Sequence, residues 1–320
     1  MRENSYGSGM VKQAPGMSGQ DWAILLLLSV LWGGSFLFIE IAVETVPPLT
    51  FVLIRVAIAA AALWLFLLAR RQRLPVPPGA LLAFAILALL NNVLPFVLFA
   101  WAQQSITAGL GSILNAMTPV WGVIVAHLFT RDERMTPAKV AGVLLGFGGV
   151  AVLIGADLLG EIGSQVWAQL ACLVATLCYA LAGVYGRRFP VMGIPPVAVA
   201  TGQLTAATLI MLPLVLLFEP LRETAAPGAG AWAAMVALAL VCTSLAYILY
   251  FQLLASAGAT NSLLVTFLIP ISAILLGALF LGEVLEPRHF AGMALIGAGL
   301  AAIDGRLLRL IARRQPSVAS

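Results

Sequence analysis

The sequence predicts an all-α membrane protein in which ten transmembrane helices form two inverted five-helix repeats. Of its 320 residues, 62% are hydrophobic and only 9% are charged, which leaves a soluble globule without a water-compatible surface. Ten apolar stretches have the roughly 20 residues that an α-helix needs to cross the hydrocarbon core of a bilayer. In addition, the second half of the chain repeats the order of motifs in the first half.

The ten apolar stretches are predicted to be helices and not strands. They are continuous apolar runs without the alternation of a lipid-facing barrel, and a helix satisfies its backbone hydrogen bonds within one segment. The predicted helices cover residues 22–43, 49–69, 79–102, 106–129, 137–155, 165–186, 196–218, 231–254, 258–281 and 287–307. The polar residues 1–20, rich in Gly and Ser, predict a disordered cytoplasmic tail before an uncleaved first helix.

The internal repeat is clearest between residues 98–155 and 249–305. The matched pairs are Pro119 and Pro270, Glu133 and Glu283, Pro137 and Pro287, Gly142 and Gly292, and Gly149 and Gly299. We therefore expect a first repeat over residues 21–156, a second over residues 164–309, and a cytoplasmic tail over residues 310–320. Because each unit contains five helices, the second copy must enter the membrane inverted relative to the first.

Basic residues cluster at alternate helix ends, and this asymmetry predicts the topology. They follow the second, fourth, sixth and tenth predicted helices, whereas the opposite loops are mostly acidic. Positively charged ends stay in the cytoplasm, so both termini should face it. Because the basic residues form no single patch, the net charge of +4 indicates orientation in a lipid bilayer and not binding of nucleic acid.

No pattern in the sequence indicates a catalytic, metal or cofactor site. Cys172, Cys178 and Cys242 lie in predicted helices without the spacing of metal ligands or a disulfide framework. His127 and His289 are too few and too far apart for a metal site. We therefore predict no metal, no cofactor and no enzymatic activity.

Several short motifs resemble those of the EamA-type drug/metabolite transporters. They are the run from Trp32 to Phe36 (WGGSF) and Arg55 early in the second helix. In addition, the order of a proline, then Leu or Phe, then a glutamate, then a Gly-rich helix occurs twice. The resemblance spans residues 22–305. It implies a ten-helix carrier of the bacterial inner membrane that exports small metabolites, amino acids among them, by alternating access. A monomer is a plausible transporting unit, and the oligomeric state stays open.

The charges inside the predicted helices favour a substrate with little net charge. Family members that carry sugar phosphates or nucleotide-sugars typically depend on basic residues in the cavity, whereas this chain has one well-placed intramembrane cation, Arg55. Related four-helix drug exporters carry a carboxylate in the first helix, where this chain has residues 31–35. The resemblance thus points to amino acids, including aromatic or hydrophobic ones.

A polar and aromatic stripe occurs on both the third and the eighth predicted helix. The repeat aligns Asn92 with Thr243, Phe96 with Tyr247, and Phe99 with Tyr250. Their spacing of i, i+4 and i+7 puts each set on one helical face, which should turn inward and line a shared cavity. The predicted substrate-binding residues are Asn91, Asn92, Phe96, Thr243, Ser244, Tyr247 and Tyr250. The alternative is that these polar groups only bond to neighbouring helices.

Further candidates for the cavity lie on other helices. They are Trp32, Ser35, Trp101, Tyr179 and Gln203. A tryptophan near a helix end is more often an interfacial anchor than a ligand, and this alternative applies most strongly to Trp101.

Arg55 lies about 9 Å along the axis of the second predicted helix, where a charge needs a partner. Glu40, near the outer end of the first helix, is the nearest acidic residue in the sequence. The two residues are predicted to form a charge pair that acts as an outer gate or attracts a substrate carboxylate. A static brace, or an arginine that reaches the headgroups, is the alternative.

Four prolines within predicted helices are candidates for hinges, since proline removes a helical hydrogen bond and can bend a helix. They are Pro95, Pro119, Pro213 and Pro270. Fixed kinks that shape the bundle are the alternative interpretation.

Taken together, these features predict an exporter of small metabolites, with amino acids as the first choice of substrate. A polytopic channel or receptor is the alternative, and a membrane-embedded enzyme ranks lower because no catalytic constellation occurs. No carboxylate is predicted at mid-membrane, so we expect facilitated transport or exchange without a buried proton relay.

Overall fold

The protein is described here by a computed structural model that covers residues 17–130, 135–154, 164–219, 227–262 and 264–304. Within these ranges the regular structure is entirely helical. Most of the two predicted tails, residues 1–16 and 310–320, lies outside the described residues, as does Glu133. The fold class is therefore all-α, as the continuous apolar runs predict.

We number the helical segments α1 to α10 in chain order. They are α1 (Gly19–Val43), α2 (Pro48–Ala69), α3 (Ala80–Ala88, Leu89–Val93 and Leu94–Ala102), α4 (Ala108–Asn115 and Thr118–Phe129), α5 (Pro137–Ile154), α6 (Ser164–Gly186), α7 (Pro196–Phe218), α8 (Ala229–Ala239, Leu240–Leu245 and Ala246–Ala257), α9 (Val265–Phe280) and α10 (Pro287–Asp304). Short helices follow α6 and precede α9, at Arg188–Val191 and Ala259–Ser262.

Seven of the described helices are long and apolar enough to cross a membrane, and α5 and α9 are apolar but shorter. A chain with this many apolar helices is a multi-pass membrane protein. That all ten helices cross the membrane, and that the two repeats are inverted relative to each other, stay predictions.

Several helix ends coincide with the predicted boundaries because their sequences carry clear start signals. Pro48 and Pro196 occupy the first turns of α2 and α7, where the missing N–H costs no hydrogen bond. Helix α1 begins at Gly19 because Ser18 caps it, with Asp21 donating its N–H to the Ser18 side chain and accepting the Ser18 N–H in return. The polar residues at 19 and 20 thus belong to the helix and not to the predicted tail.

Two segments depart from the predicted continuous α-helices. Residues Leu89–Val93 of α3 and Leu240–Leu245 of α8 form π-helices, at positions that the internal repeat matches. A π-helical turn accommodates an extra residue, and such turns are frequent at functional sites. A continuous apolar run looks the same in sequence whether it forms an α-helix or contains a π-helical turn, so these turns could not be predicted.

The predicted hinge prolines occupy different structural positions. Pro119 lies in the first turn of Thr118–Phe129, after a break that divides the predicted continuous helix, and Pro95 lies in the first turn of Leu94–Ala102. Pro213 and Pro270 lie inside α7 and α9. Pro119 therefore begins a new helical piece, contrary to its predicted mid-helix position, whereas Pro95 lies within α3 just after its π-helical turn.

Helices α5 and α10 cross at close backbone distance. A Cβ atom added at Gly142 would lie 2.6 Å from the Gly299 carbonyl oxygen, and one added at Gly149 would lie 2.7 Å from the Gly292 carbonyl oxygen. Glycine is required at such contacts because any side chain would separate the helices. As residue numbers rise along α5, those of its partners fall along α10, so the two helices run antiparallel at this contact.

Helix ends from distant parts of the chain meet in pairs. The Ser256 hydroxyl near the end of α8 donates to the Asp21 carboxylate at the start of α1. The Glu219 carboxylate after α7 accepts hydrogen bonds from the backbone N–H groups of Leu49 and Thr50 at the start of α2. Each contact joins ends that the predicted alternating path puts on the same side of the membrane.

Candidate functional site

The polar stripes of α3 and α8 are in direct contact. The side-chain amide of Asn91 donates to the Tyr247 hydroxyl at 3.2 Å, and that of Asn92 donates to the same oxygen at 3.4 Å. Asn92 is fully buried, whereas Asn91 and Tyr247 are half-buried. The structure thus brings together side chains from both sequence repeats, as the matched stripes predict.

The π-helical segments position these side chains. In α8 the Thr243 hydroxyl donates to the Leu238 carbonyl at 2.8 Å, and the Ser244 hydroxyl donates to the Ala239 carbonyl at 2.9 Å, each five residues back. Ser244 also donates to the Ala59 carbonyl of α2 at 3.2 Å. Its hydroxyl is therefore used in packing α8 against α2, which favours a structural role for Ser244.

Arg55 of α2 lies against the same stripes. Its Nε–H donates to the Thr243 hydroxyl at 3.2 Å, and its guanidinium carbon lies 3.6 Å from the centroid of the Phe96 ring. This ring distance is short enough for a cation–π interaction. Arg55 is only 6% exposed, so a cation is held between α3 and α8 in the interior of the bundle.

Gln203 occupies the position in α7 that corresponds to Arg55 when Pro48 is matched with Pro196. Its Oε1 accepts a hydrogen bond from the Asn91 side-chain amide at 3.2 Å, and the residue is 2% exposed. Both matched positions therefore contact α3. One supplies a cation and the other a neutral amide.

The predicted charge pair between Arg55 and Glu40 is not formed. Glu40 accepts a hydrogen bond from the backbone N–H of Ala108, and the Glu283 carboxylate accepts from Ala108 at 2.8 Å and from Gly109 at 3.0 Å. The unpaired N–H groups at the start of α4 attract both carboxylates. Proximity in sequence identified the wrong partner, because Arg55 faces α3 and α8.

Aromatic side chains surround the polar contacts. The rings of Trp32 and Tyr250 lie 5.4 Å apart, and those of Phe99 and Tyr179 are stacked at 6.3 Å. Tyr179 packs against two of the apolar clusters formed by the described residues, so it lies where they meet. The site therefore combines hydrogen-bonding groups with flat apolar surfaces, a combination typical of small-molecule sites.

Two other predicted residues, Ser35 and Trp101, form no hydrogen bond with Asn91, Asn92, Thr243 or Tyr247. Ser35 is buried and donates to the Leu31 carbonyl of its own helix at 3.2 Å. Trp101 is 45% exposed, which matches an interfacial anchor better than a ligand. Neither observation gives these residues a role in binding.

Sequence reasoning did not identify the cap on α4 or the role of Gln103. Gln103 is 4% exposed, and its side-chain amide donates to the Phe36 carbonyl at 2.8 Å, which fixes the end of α3 against α1. The match of Glu283 with Glu133 in the repeat was the available signal for the cap. Within the described ranges, no group of three His, Cys, Asp or Glu residues could hold a metal ion.

Comparison with known proteins identifies the family. The model of the EamA-like transporter family matches residues 21–155 and again residues 166–303, so two successive copies cover most of the chain. The chain belongs to the EamA-like transporter family.

Relatives of this EamA-like transporter are named as transporters. The "Uncharacterized transporter YoaV" of Bacillus subtilis is 22% identical over 86% of this chain and 94% of its own length. The "Uncharacterized inner membrane transporter YedA" of Escherichia coli K12 is 26% identical over 85% of this chain and 86% of its own. A "Probable terminal-alkyne amino-acid exporter" of Streptantibioticus cattleyicolor is 28% identical over 91% of this chain and 95% of its own.

The fold also has a counterpart among solved structures. A protein of known crystal structure, 23% identical in sequence, aligns with 94% of this chain and 100% of its own with a TM-score of 0.66. The protein is therefore a multi-pass membrane transporter with an established fold.

Proposed function

We propose that this EamA-like transporter exports small metabolites, with amino acids of aromatic or hydrophobic type as the first candidates. It would lie in the bacterial inner membrane with both termini in the cytoplasm. The distribution of basic residues supports this orientation. The relative from Streptantibioticus cattleyicolor, named as a probable amino-acid exporter, supports the substrate class.

The contact between the stripes of α3 and α8 carries the proposal. Polar groups in the interior of a membrane protein are costly, and they commonly mark substrate pathways. Here Asn91, Asn92 and Tyr247 join the two sequence repeats through hydrogen bonds, with Arg55 and Gln203 beside them. Amide and hydroxyl groups can bind the polar end of an amino acid, and the nearby rings can pack on its side chain.

Alternating access would require α3 and α8 to change their relative positions. The two π-helical segments lie at the polar contact, and Pro95 lies in the first turn after the first of them. The reciprocal glycine contacts between α5 and α10 support a two-fold relation between the repeats. We propose that the site is exposed alternately to each side when the contacts between α3 and α8 open.

Energy coupling through a buried proton relay has no support in the cluster. Within the described part of the chain, no carboxylate contacts Arg55, Asn92 or Tyr247. Facilitated transport or exchange follows as the proposed mode.

Efflux from proteoliposomes tests this function. Vesicles loaded with radiolabelled phenylalanine or leucine should release them faster with the protein than without it, and release should persist without a proton gradient. Asn91→Ala should slow efflux at least about tenfold, because both Tyr247 and Gln203 lose a hydrogen-bond partner. Thr208→Ala, which removes a hydroxyl bonded only within α7, is the matched control.

The absence of efflux for every amino acid tested would refute amino-acid export. Strict dependence on a proton gradient would refute the proposed mode of coupling but not export itself.

A further inference from the structure

Arg55 is a buried cation that has no anionic partner among the described residues. A guanidinium group carries five N–H donors, of which the structure uses the one on Nε, and the flat face of the group rests on Phe96. No carboxylate of a described residue forms an ion pair with it. A buried charge is normally paired, and the terminal nitrogens of Arg55 have no hydrogen-bond acceptor among the described residues.

Asn92, in contrast, lacks a hydrogen-bond donor for its side-chain oxygen. Its Nδ2 donates to Tyr247, but its Oδ1 is buried and accepts no hydrogen bond from the described residues. Nearly all buried acceptors in proteins have a donor, so an exception in the interior of a transporter calls for a functional explanation. An external donor would satisfy this oxygen.

The two unmet groups are close together in the fold. Arg55 contacts Phe96 and Thr243, whereas Asn92 contacts Tyr247. Phe96 follows Asn92 by four residues in α3, and Tyr247 follows Thr243 by four residues in α8. Four residues rise about 6 Å along a helix, so the two contacts lie about one turn apart.

We propose that Arg55 binds the carboxylate of the substrate and that Asn92 Oδ1 accepts a hydrogen bond from its ammonium group. The ligand that satisfies both demands carries an acceptor and a donor a short distance apart, as an α-amino acid does. This inference rests on the proposed function and specifies its substrate as a zwitterion with one carboxylate.

The matched position explains why one carboxylate is preferred. Gln203 is neutral and already bonded to Asn91, so it offers no second cation to a dicarboxylate or a phosphate. The carboxylate thus has one place to bind, and the amino acid has one orientation in the site.

A purely structural Arg55, stacked on Phe96 as a brace between α3 and α8, is the competing explanation. The two explanations differ in the effect of ligand chemistry. A brace stabilises the protein regardless of the ligand, whereas a carboxylate receptor makes the protein discriminate between a free acid and its amide.

The test uses the full chain in proteoliposomes and in detergent, with four probes of the same ring. They are phenylalanine, phenylalanine amide, 2-phenylethylamine and 3-phenylpropionate. Phenylalanine should compete for efflux and raise the melting temperature. The amide and the amine should bind at least about tenfold more weakly because they lack the carboxylate, and the propionate should bind more weakly because it lacks the ammonium group.

Arg55→Gln should abolish the preference for the acid over the amide. Arg70→Gln is the matched control, because Arg70 lies at the exposed end of the same helix with its guanidinium 5.5 Å from the Phe66 ring. It should keep the wild-type preference. If Arg55→Gln does not fold, the wild-type comparison of acid with amide decides alone.

Equal binding of phenylalanine and its amide by the wild-type protein would overturn the inference, and transport of both would leave amino-acid export intact. Failure to bind or transport any amino acid would overturn the proposed function as well.

Discussion

Two of the contacts between the sequence repeats differ in their chemistry. Between α5 and α10 the repeats contribute the same residue type, because Gly142 faces Gly299 and Gly149 faces Gly292. At the polar contact of α3 and α8 the matched positions carry different residues: Arg55 of α2 contacts Thr243, and Gln203 of α7 contacts Asn91.

This difference suits two roles: the glycine contact packs two helices together, and the polar contact is the proposed binding site. A duplicated glycine contact needs only close approach, so both copies keep the smallest residue. A binding site for an asymmetric molecule needs different groups at its two ends. The polar contact is accordingly the place where matched positions carry unequal charge.

The largest expected effect is on the glycine contact. Gly149→Ala puts a Cβ 2.7 Å from the Gly292 carbonyl and should destabilise the protein by about 1–3 kcal/mol through overpacking. The neighbouring Gly148→Ala meets no atom within 4 Å and should leave the melting temperature nearly unchanged. Equal melting temperatures of the two variants in detergent would contradict the close contact between α5 and α10.

The next effect is on the polar contact. Tyr247→Phe removes the hydroxyl that accepts from Asn91 and Asn92, and should cost about 1–2 kcal/mol because both side-chain amides lose this acceptor. Tyr250→Phe is the control, since its hydroxyl forms no hydrogen bond with the described residues. Chemical denaturation of both variants measures the difference, and a larger loss for Tyr250→Phe would count against the contact.

A smaller effect is expected at the start of α4, where Glu40 and Glu283 share the Ala108 N–H. Glu283→Gln should cost about 1 kcal/mol, because Glu283 caps two backbone N–H groups. Glu40→Gln should cost less or stabilise the protein, because Glu40 accepts from the Ala108 N–H alone. Either substitution removes the repulsion between the two carboxylates, so the difference between the variants reports the capping. Melting temperatures in the reverse order would show that Glu40 is the main cap.

The smallest effect is expected at Trp101. Because it is nearly half exposed, Trp101→Phe should change both stability and efflux little, by no more than about 0.5 kcal/mol in stability. Trp32→Phe, which alters a ring packed against Tyr250, should have the larger effect on efflux. A strong loss of efflux in Trp101→Phe would place Trp101 in the substrate path.

The sequence predicts helix positions well where length and start signals decide them. Helix α7 has the predicted bounds because Pro196 opens it, and α2 differs by one residue. The break before Thr118 and the π-helical turns were not predicted, because they leave an apolar run unchanged.

The candidate site was predicted in part for a similar reason. The repeat put Asn92, Phe96, Thr243 and Tyr247 on matched helix faces, and their role in substrate binding stays a prediction. The partner of Arg55 was wrong, since sequence proximity does not show which helix a side chain faces. That information depends on how α2 packs against α8.

The central claim is that the contact between α3 and α8 opens alternately to each side of the membrane. The direct test replaces Cys172, Cys178 and Cys242 with alanine, introduces Asn91→Cys, and measures labelling by a membrane-impermeant maleimide from each side of oriented vesicles. We predict labelling from both sides and protection by phenylalanine. Labelling from neither side, or from one side under all conditions, would contradict the account.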